Sequence, residues 1–164
     1  MLGERNYALK VAVGKEEDEY LITRHSQFKT PINVINVYGE SETRASASEI
    51  VSRWHRIAYE IERIENKRES FILVGDLNKQ LGREIKDNHK KASHGGKTLI
   101  DFLEKGKSVL FNSTNKGKNG PFTRYDPSCP DVDAKKSCLD LIIISRDLLR
   151  FVREVVIDKH LQLI

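Results

Sequence analysis

Phe71-Ile72-Leu73-Val74-Gly75-Asp76-Leu77-Asn78 is the stretch on which the reading of this sequence turns. Four consecutive apolar residues make a run of strand length, apolar on both faces like a buried strand, and the run opens through Gly75 into a polar loop. A carboxylate at the mouth of a buried strand is held rigidly while remaining reachable. Asp76 is therefore suited to binding a metal or acting as a base. Asn78, two residues on, points the same way if the strand geometry persists, and its amide would orient a water or a phosphate oxygen. The same Gly-Asp-Leu-Asn is also an ordinary Asp/Asn turn after a strand, and alone it does not separate the two readings.

Upstream of this stretch, residues 46–67 form the clearest helix. Ile50, Trp54, Ile57, Ala58, Ile61 and Ile64 fall on one stripe, and Ser46 with Glu49 makes a capping box. Before it, residues 31–38 read as a strand apolar on both faces, closing in Asn36-Val37-Tyr38-Gly39. If that strand neighbours the one ending in Asp76, Tyr38 lies at the same rim, where a phenol can hydrogen-bond a phosphate oxygen or simply be an amphipathic edge residue. Strands are also expected at 7–13 and 20–25, joined by an acidic turn at 16–19.

Downstream, a helix at about 96–105 presents Leu99, Phe102 and Leu103 and stops at Gly106. A strand at 108–111, a Gly/Lys/Asn-rich loop at 113–120 and a short strand at 122–125 follow. Ser137-Cys138-Leu139-Asp140-Leu141-Ile142-Ile143-Ile144-Ser145 then sets one acid in an apolar run. A buried Asp140 needs a metal, an Arg or a His beside it; at the strand mouth it is simply solvated. A short helix from Arg146 and an edge strand at 154–157 end the pattern. Hairpin-like neighbours mixed with helix crossovers predict an α+β fold.

The 164 residues, 38% hydrophobic and 32% charged, suit one globular domain over 1–164 that can bury a core without staples. No apolar run approaches the ~20 residues of a membrane helix, and the opening residues lack a secretory signal. Cys129 and Cys138 have neither disulfide-framework nor zinc spacing, so an intracellular, nuclear or cytoplasmic protein is expected. The charge is uneven: residues 79–120 carry a net +6, whereas the rest is nearly neutral. Lys79, Arg83, Lys86, Lys90, Lys91 and Lys97 are thus where a nucleic-acid backbone would approach, unless they are a solvated face.

The order strand-NVYG, long helix, strand-GDLN, basic loop, helix, Thr123 and SxLDxIIIS resembles the endonuclease/exonuclease/phosphatase superfamily, which includes abasic-site endonucleases, DNase I and the endonuclease domains of non-LTR retrotransposons. The resemblance spans roughly 7–157 and is greatest to the retroelement type. It implies a layered β-sandwich with flanking helices, DNase I-like, and a metal-dependent phosphodiesterase. It assigns Asp76 to activating water, Asn78 to orienting the phosphate, Tyr38 to contacting phosphate in members that have such a tyrosine, and Asp140 to positioning metal and histidine. The metal ligands available would be Asp76, Asn78 and Asp140, the cation Mg²⁺ or Mn²⁺, and the partner DNA ahead of RNA, met by a monomer without membrane contact. Two departures stand out. No counterpart of the family's early metal-site Asn and Glu precedes Tyr7, Glu4 and Asn6 being in the wrong order. Asp158-Lys159-His160 does not match the family's late Asp-His pair. The chain is therefore expected to be an incomplete domain, missing both outer parts of the site. A catalytically dead binding remnant and a small-phosphoester phosphatase are the alternatives.

Overall fold

The computed structural model describes residues 9–11, 20–39, 46–78, 92–111, 117–118, 124–125, 136–137, 139–153 and 155–156. These form β1 (Leu9–Val11), β2 (Tyr20–His25), β3 (Ile32–Val37), α1 (Ala47–Asn66), β4 (Ser70–Asp76), α2 (His94–Lys105), β5 (Ser108–Leu110), β6 (Gly117–Lys118), β7 (Arg124–Tyr125), β8 (Lys136–Ser137), β9 (Asp140–Ser145), a 3₁₀ helix (Arg146–Arg150) and β10 (Val155–Val156). Six strands make one mixed sheet in the order β1-β2-β3-β4-β9-β5. β3 and β4 run parallel through the crossover α1, and every other neighbouring pair in this sheet is antiparallel.

The apolar runs of β3, β4 and β9 follow from this placement, since strands inside a sheet covered on both faces carry apolar residues on both. Ile35, Val37, Phe71, Leu73, Leu141 and Ile143 face the helices and meet Ile50, Trp54, Ile57, Ile61 and Ile64 of α1 and Leu99 of α2. Burying each such side chain stabilises the fold by about 1.5–3 kcal/mol. The alternate residues Ile32, Ile72, Val109, Ile142 and Ile144 point to the other face, where Phe111 and Leu148 of the 3₁₀ helix pack on them.

α1 starts where its capping box dictates: the Ser46 N–H donates to Glu49 Oε2 at 2.7 Å and the Glu49 N–H to Ser46 Oγ at 3.3 Å. The crossover means that α1 begins beside the end of β3 and finishes beside the start of β4. Asp76 stands at one end of the sheet, the rim, and Ser70 and Ser145 stand at the other, the distal end.

The structure corrects several boundaries. β4 runs on through Gly75 to Asp76 instead of opening into a loop at Gly75. α2 starts at His94, two residues earlier than expected, with Ser93 Oγ accepting the Gly96 N–H at 3.2 Å, so Gly95 joins Gly96 in the first turn. Gly117–Lys118, expected in a loop, pairs in parallel with β10, and β7 pairs with β8. The segment from Arg146 is a 3₁₀ helix. No helix among the described residues is long and apolar enough to cross a membrane.

Candidate active site

The register of β4 against β9 sets Asp76 directly opposite Asp140. One position further on, the Leu77 N–H donates to the Leu139 carbonyl at 2.9 Å. The hydrogen-bonded pair is thus 77/139, and Asp76/Asp140 is the narrow, non-hydrogen-bonded kind, with Cβ atoms about 4.5–5.5 Å apart. Alternation along each strand places both on the face shared by Ile72, Val74, Ile142 and Ile144, away from the helices. Asp76 is half-buried, and Asp140, the first residue of its strand, is exposed. The strand-mouth reading of Asp140 therefore replaces that of a buried acid inside an apolar strand.

Asn78 does not continue the strand. Its φ is +48°, a left-handed conformation that Asn tolerates, and its N–H donates to Asp76 Oδ1 at 2.9 Å. The Asn78 Nδ2 donates to the Gly39 carbonyl at 2.7 Å, tying the loop after β4 to the loop after β3. Asn78 therefore reaches the rim through an Asx turn, and one of its two amide hydrogens is already engaged. The neighbouring backbone closes the same joint, because the Gly39 N–H donates to the Asp76 carbonyl at 2.7 Å. Tyr38, immediately before Gly39, is 65% exposed at this rim.

Two glycines make the joint possible. Gly75 has φ +141°, and a Cβ there would overlap the Val37 carbonyl oxygen. A Cβ on Gly39 would overlap the carbonyl oxygen of Leu77. Leu77, fully buried, anchors the turn from within. In sequence both glycines look like punctuation, although each stands beside a residue of the rim, Tyr38 and Asp76. Of the basic candidates, Lys97 is exposed on the first turn of α2. Lys79, Arg83, Lys86, Lys90 and Lys91 lie outside the described residues, as do Thr123, Asp158 and His160. Their segment, 79–91, leaves from Asn78 and ends just before α2.

The donor set tests a divalent cation. Two carboxylates on one face, with an amide beside them, are hard oxygen donors of the kind that small divalent cations take. Among the described residues no group of three or more His, Cys, Asp or Glu side chains encloses a metal. The set therefore fits an ion held by one or two carboxylates and completed by water and phosphate oxygens, as Mg²⁺ commonly is. A groove of about 720 Å³ lined by Tyr20, Val51, His55, Tyr59 and His94 does not include Asp76 or Asp140.

Neither a protein-family model nor a curated protein matches the sequence. Solved structures do match. The catalytic domain of Xenopus laevis APE2 is 17% identical with a TM-score of 0.59, over 80% of this chain and 47% of that one. An AP endonuclease from Archaeoglobus fulgidus is 17% identical with a TM-score of 0.58, over 85% and 57%. The 3′ phosphatase NExo from Neisseria, bound to a product DNA hairpin, is 16% identical with a TM-score of 0.55, over 87% and 58%. The chain spans about half the length of these structures. What the likeness establishes is the architecture: a layered, DNase I-like α+β fold of the kind that these three structures share.

Proposed function

We propose that the rim of this chain is a phosphodiester-hydrolase site acting on nucleic acid, DNA ahead of RNA, of the retroelement endonuclease type and dependent on Mg²⁺ or Mn²⁺. The observation that carries it is the direct opposition of Asp76 and Asp140 beside Asn78, in a fold shared with AP endonucleases and with a phosphatase bound to a DNA hairpin.

Asp76 Oδ1 is occupied by the Asn78 N–H, which leaves Oδ2 to take a proton from the attacking water. As that water's oxygen bonds to phosphorus, the opposite ester bond breaks in line, its electron pair leaving with the sugar oxygen, which takes a proton from solvent. The remaining amide hydrogen of Asn78 is placed to donate to a non-bridging phosphate oxygen, and the Tyr38 phenol to contact the backbone at the same edge. Asp140 and Asp76 would hold the divalent cation, which supplies charge stabilisation on the phosphoryl oxygens. The Lys79–Lys97 segment adds attraction for the phosphate backbone and no base selectivity.

Nicking of supercoiled plasmid in Mg²⁺, against a chelator control, tests this. Loss of a general base costs roughly 10²–10⁴ in rate, so Asp76→Asn should abolish visible nicking. Asp140→Asn should raise the Mg²⁺ concentration required. Nicking that is unchanged in Asp76→Asn refutes the assignment.

One observation favours a second reading, binding without turnover: the net charge of +6 carried by residues 79–120. That reading expects no nicking by the parent chain, yet salt-sensitive duplex binding on the order of 10⁻⁴–10⁻⁶ M that Lys90→Glu with Lys91→Glu weakens.

A further inference from the structure

The distal end of the sheet gathers cations that the rim does not use. Arg68 follows α1, Lys107 precedes β5 and Arg146 opens the 3₁₀ helix, and all three line one shallow groove of about 480 Å³. The Arg146 N–H donates to the Lys107 carbonyl at 2.7 Å, so these two come from touching backbones. Three carboxylates, Glu65, Glu69 and Asp147, share the groove. Glu69 is paired with Arg24 and also accepts from Asn33, whereas Asp147, which accepts the Ser70 hydroxyl at 2.6 Å, keeps its charge as Glu65 does, so the excess of positive charge at this end comes with Arg150 and Arg153. The 3₁₀ helix then carries the chain to Arg150, Phe151 and Arg153, all exposed. The Arg150 guanidinium carbon lies 4.7 Å from the ring centroid of Phe151, and that ring is 68% exposed. The cation covers one face of the ring and steadies it, while the exposure leaves the other face open to solvent.

We infer that this distal end is a second nucleic-acid contact that takes an unpaired strand. Its phosphates run along Arg68, Lys107 and Arg146, and a base stacks on the open face of Phe151 beside Arg150. A basic track with an exposed aromatic ring is the combination that binds single strands without sequence preference. A duplex offers no free base face to the ring, and an acidic peptide would satisfy the cations while giving the ring nothing to do. β9 separates this patch from Asp140 by about 17 Å at the usual rise per strand residue, so a strand lying here is not making the contact proposed at the rim.

Fluorescence anisotropy of the whole chain with a labelled thymidine homopolymer, and with a duplex of equal length, tests this independently of nicking. Phe151→Ala should weaken single-strand binding about tenfold, from the loss of one base stack, and leave duplex binding within about twofold. Arg146→Glu with Arg150→Glu should weaken single-strand binding further and flatten its salt dependence. All three side chains are exposed, and circular dichroism checks that the variants fold. Unchanged single-strand affinity in Phe151→Ala overturns the inference. So does displacement of the homopolymer by polyglutamate as readily as by unlabelled homopolymer, which would mark a merely acid-binding patch. Loss of single-strand binding only in Lys90→Glu with Lys91→Glu would assign the strand to the basic segment after Asn78 and overturn it as well.

Discussion

Gly75→Ala should be among the most damaging single-methyl additions available in this chain. The new Cβ would overlap the Val37 carbonyl oxygen and lie 2.9 Å from its carbonyl carbon, where real Cβ contacts stay beyond 3.0 Å. The obstacle is backbone of β3, itself paired to β2 and β4, so no side-chain rotation relieves it. Holding alanine at φ +141° costs about 1–3 kcal/mol by itself. Prising β3 from β4 at the rim would also break the Gly39 to Asp76 backbone bond, worth about 0.5–1.5 kcal/mol net. Together these remove about 2–4 kcal/mol, a large part of the 5–15 kcal/mol typical of a whole domain. With a urea slope of about 2 kcal/mol/M, the middle of the usual range, the unfolding midpoint should fall by about 1–2 M. An equilibrium urea titration followed by Trp54 fluorescence measures it. A midpoint within about 0.3 M of the parent would refute the close approach of the two strands.

Two further outcomes follow from the distal end and the core. Arg24 holds Glu69 through Nε and the terminal nitrogen, at 3.1 and 2.7 Å, with Asn33 adding a third donor, and this holds the Glu69 carboxyl below the usual range. A depressed carboxylate stabilises the fold fully above its unfolded pKa, about 4.3, and loses that contribution as pH falls through the lower folded value. Glu69→Gln should therefore lower stability by about 1 kcal/mol at pH 7, a figure discounted because Arg24 is half exposed, and the gap to the parent should close below about pH 4 in urea titrations at several pH values. Ile61→Ala removes a side chain only 2% exposed between α1 and the sheet, and about 2–5 kcal/mol of unfolding free energy should go with it in the same titration.

Much of this architecture is written in local pattern. The stripe from Ile50 to Ile64 and the Ser46/Glu49 box fix α1 because both signals lie within a few residues of each other. The strand at 71–74 is equally legible, whereas the adjacency of the NVYG and GDLN strands is only a condition in the sequence, met by the parallel pairing of β3 with β4. Asn78 is harder: alternation assigns it a direction, but an Asx turn overrides alternation, and only the Gly39 carbonyl waiting in the loop after β3 makes that turn useful. The Arg24–Glu69–Asn33 clamp leaves no trace in sequence, because its members sit on three separate segments and carry no spacing rule. For Asp140 the run of four aliphatic residues after it suggested burial, and its position as the first residue of β9 decided against that.

Ser145 brackets Phe71 from the distal end, its hydroxyl accepting the Phe71 N–H at 2.6 Å and donating to the Phe71 carbonyl at 3.2 Å. That bracket joins segments made at different times. A ribosome adding about 5–20 residues per second delivers Asp140 roughly 3–13 s after Asp76. Throughout that interval β3, α1 and β4 are complete, while the edge of β4 that β9 will occupy, with Phe71 and Leu73 upon it, stands open to pairing with any other extended chain. The emerging polypeptide thus passes through a window of aggregation risk that closes when β9 arrives, and the two acids of the rim first face each other in that same step.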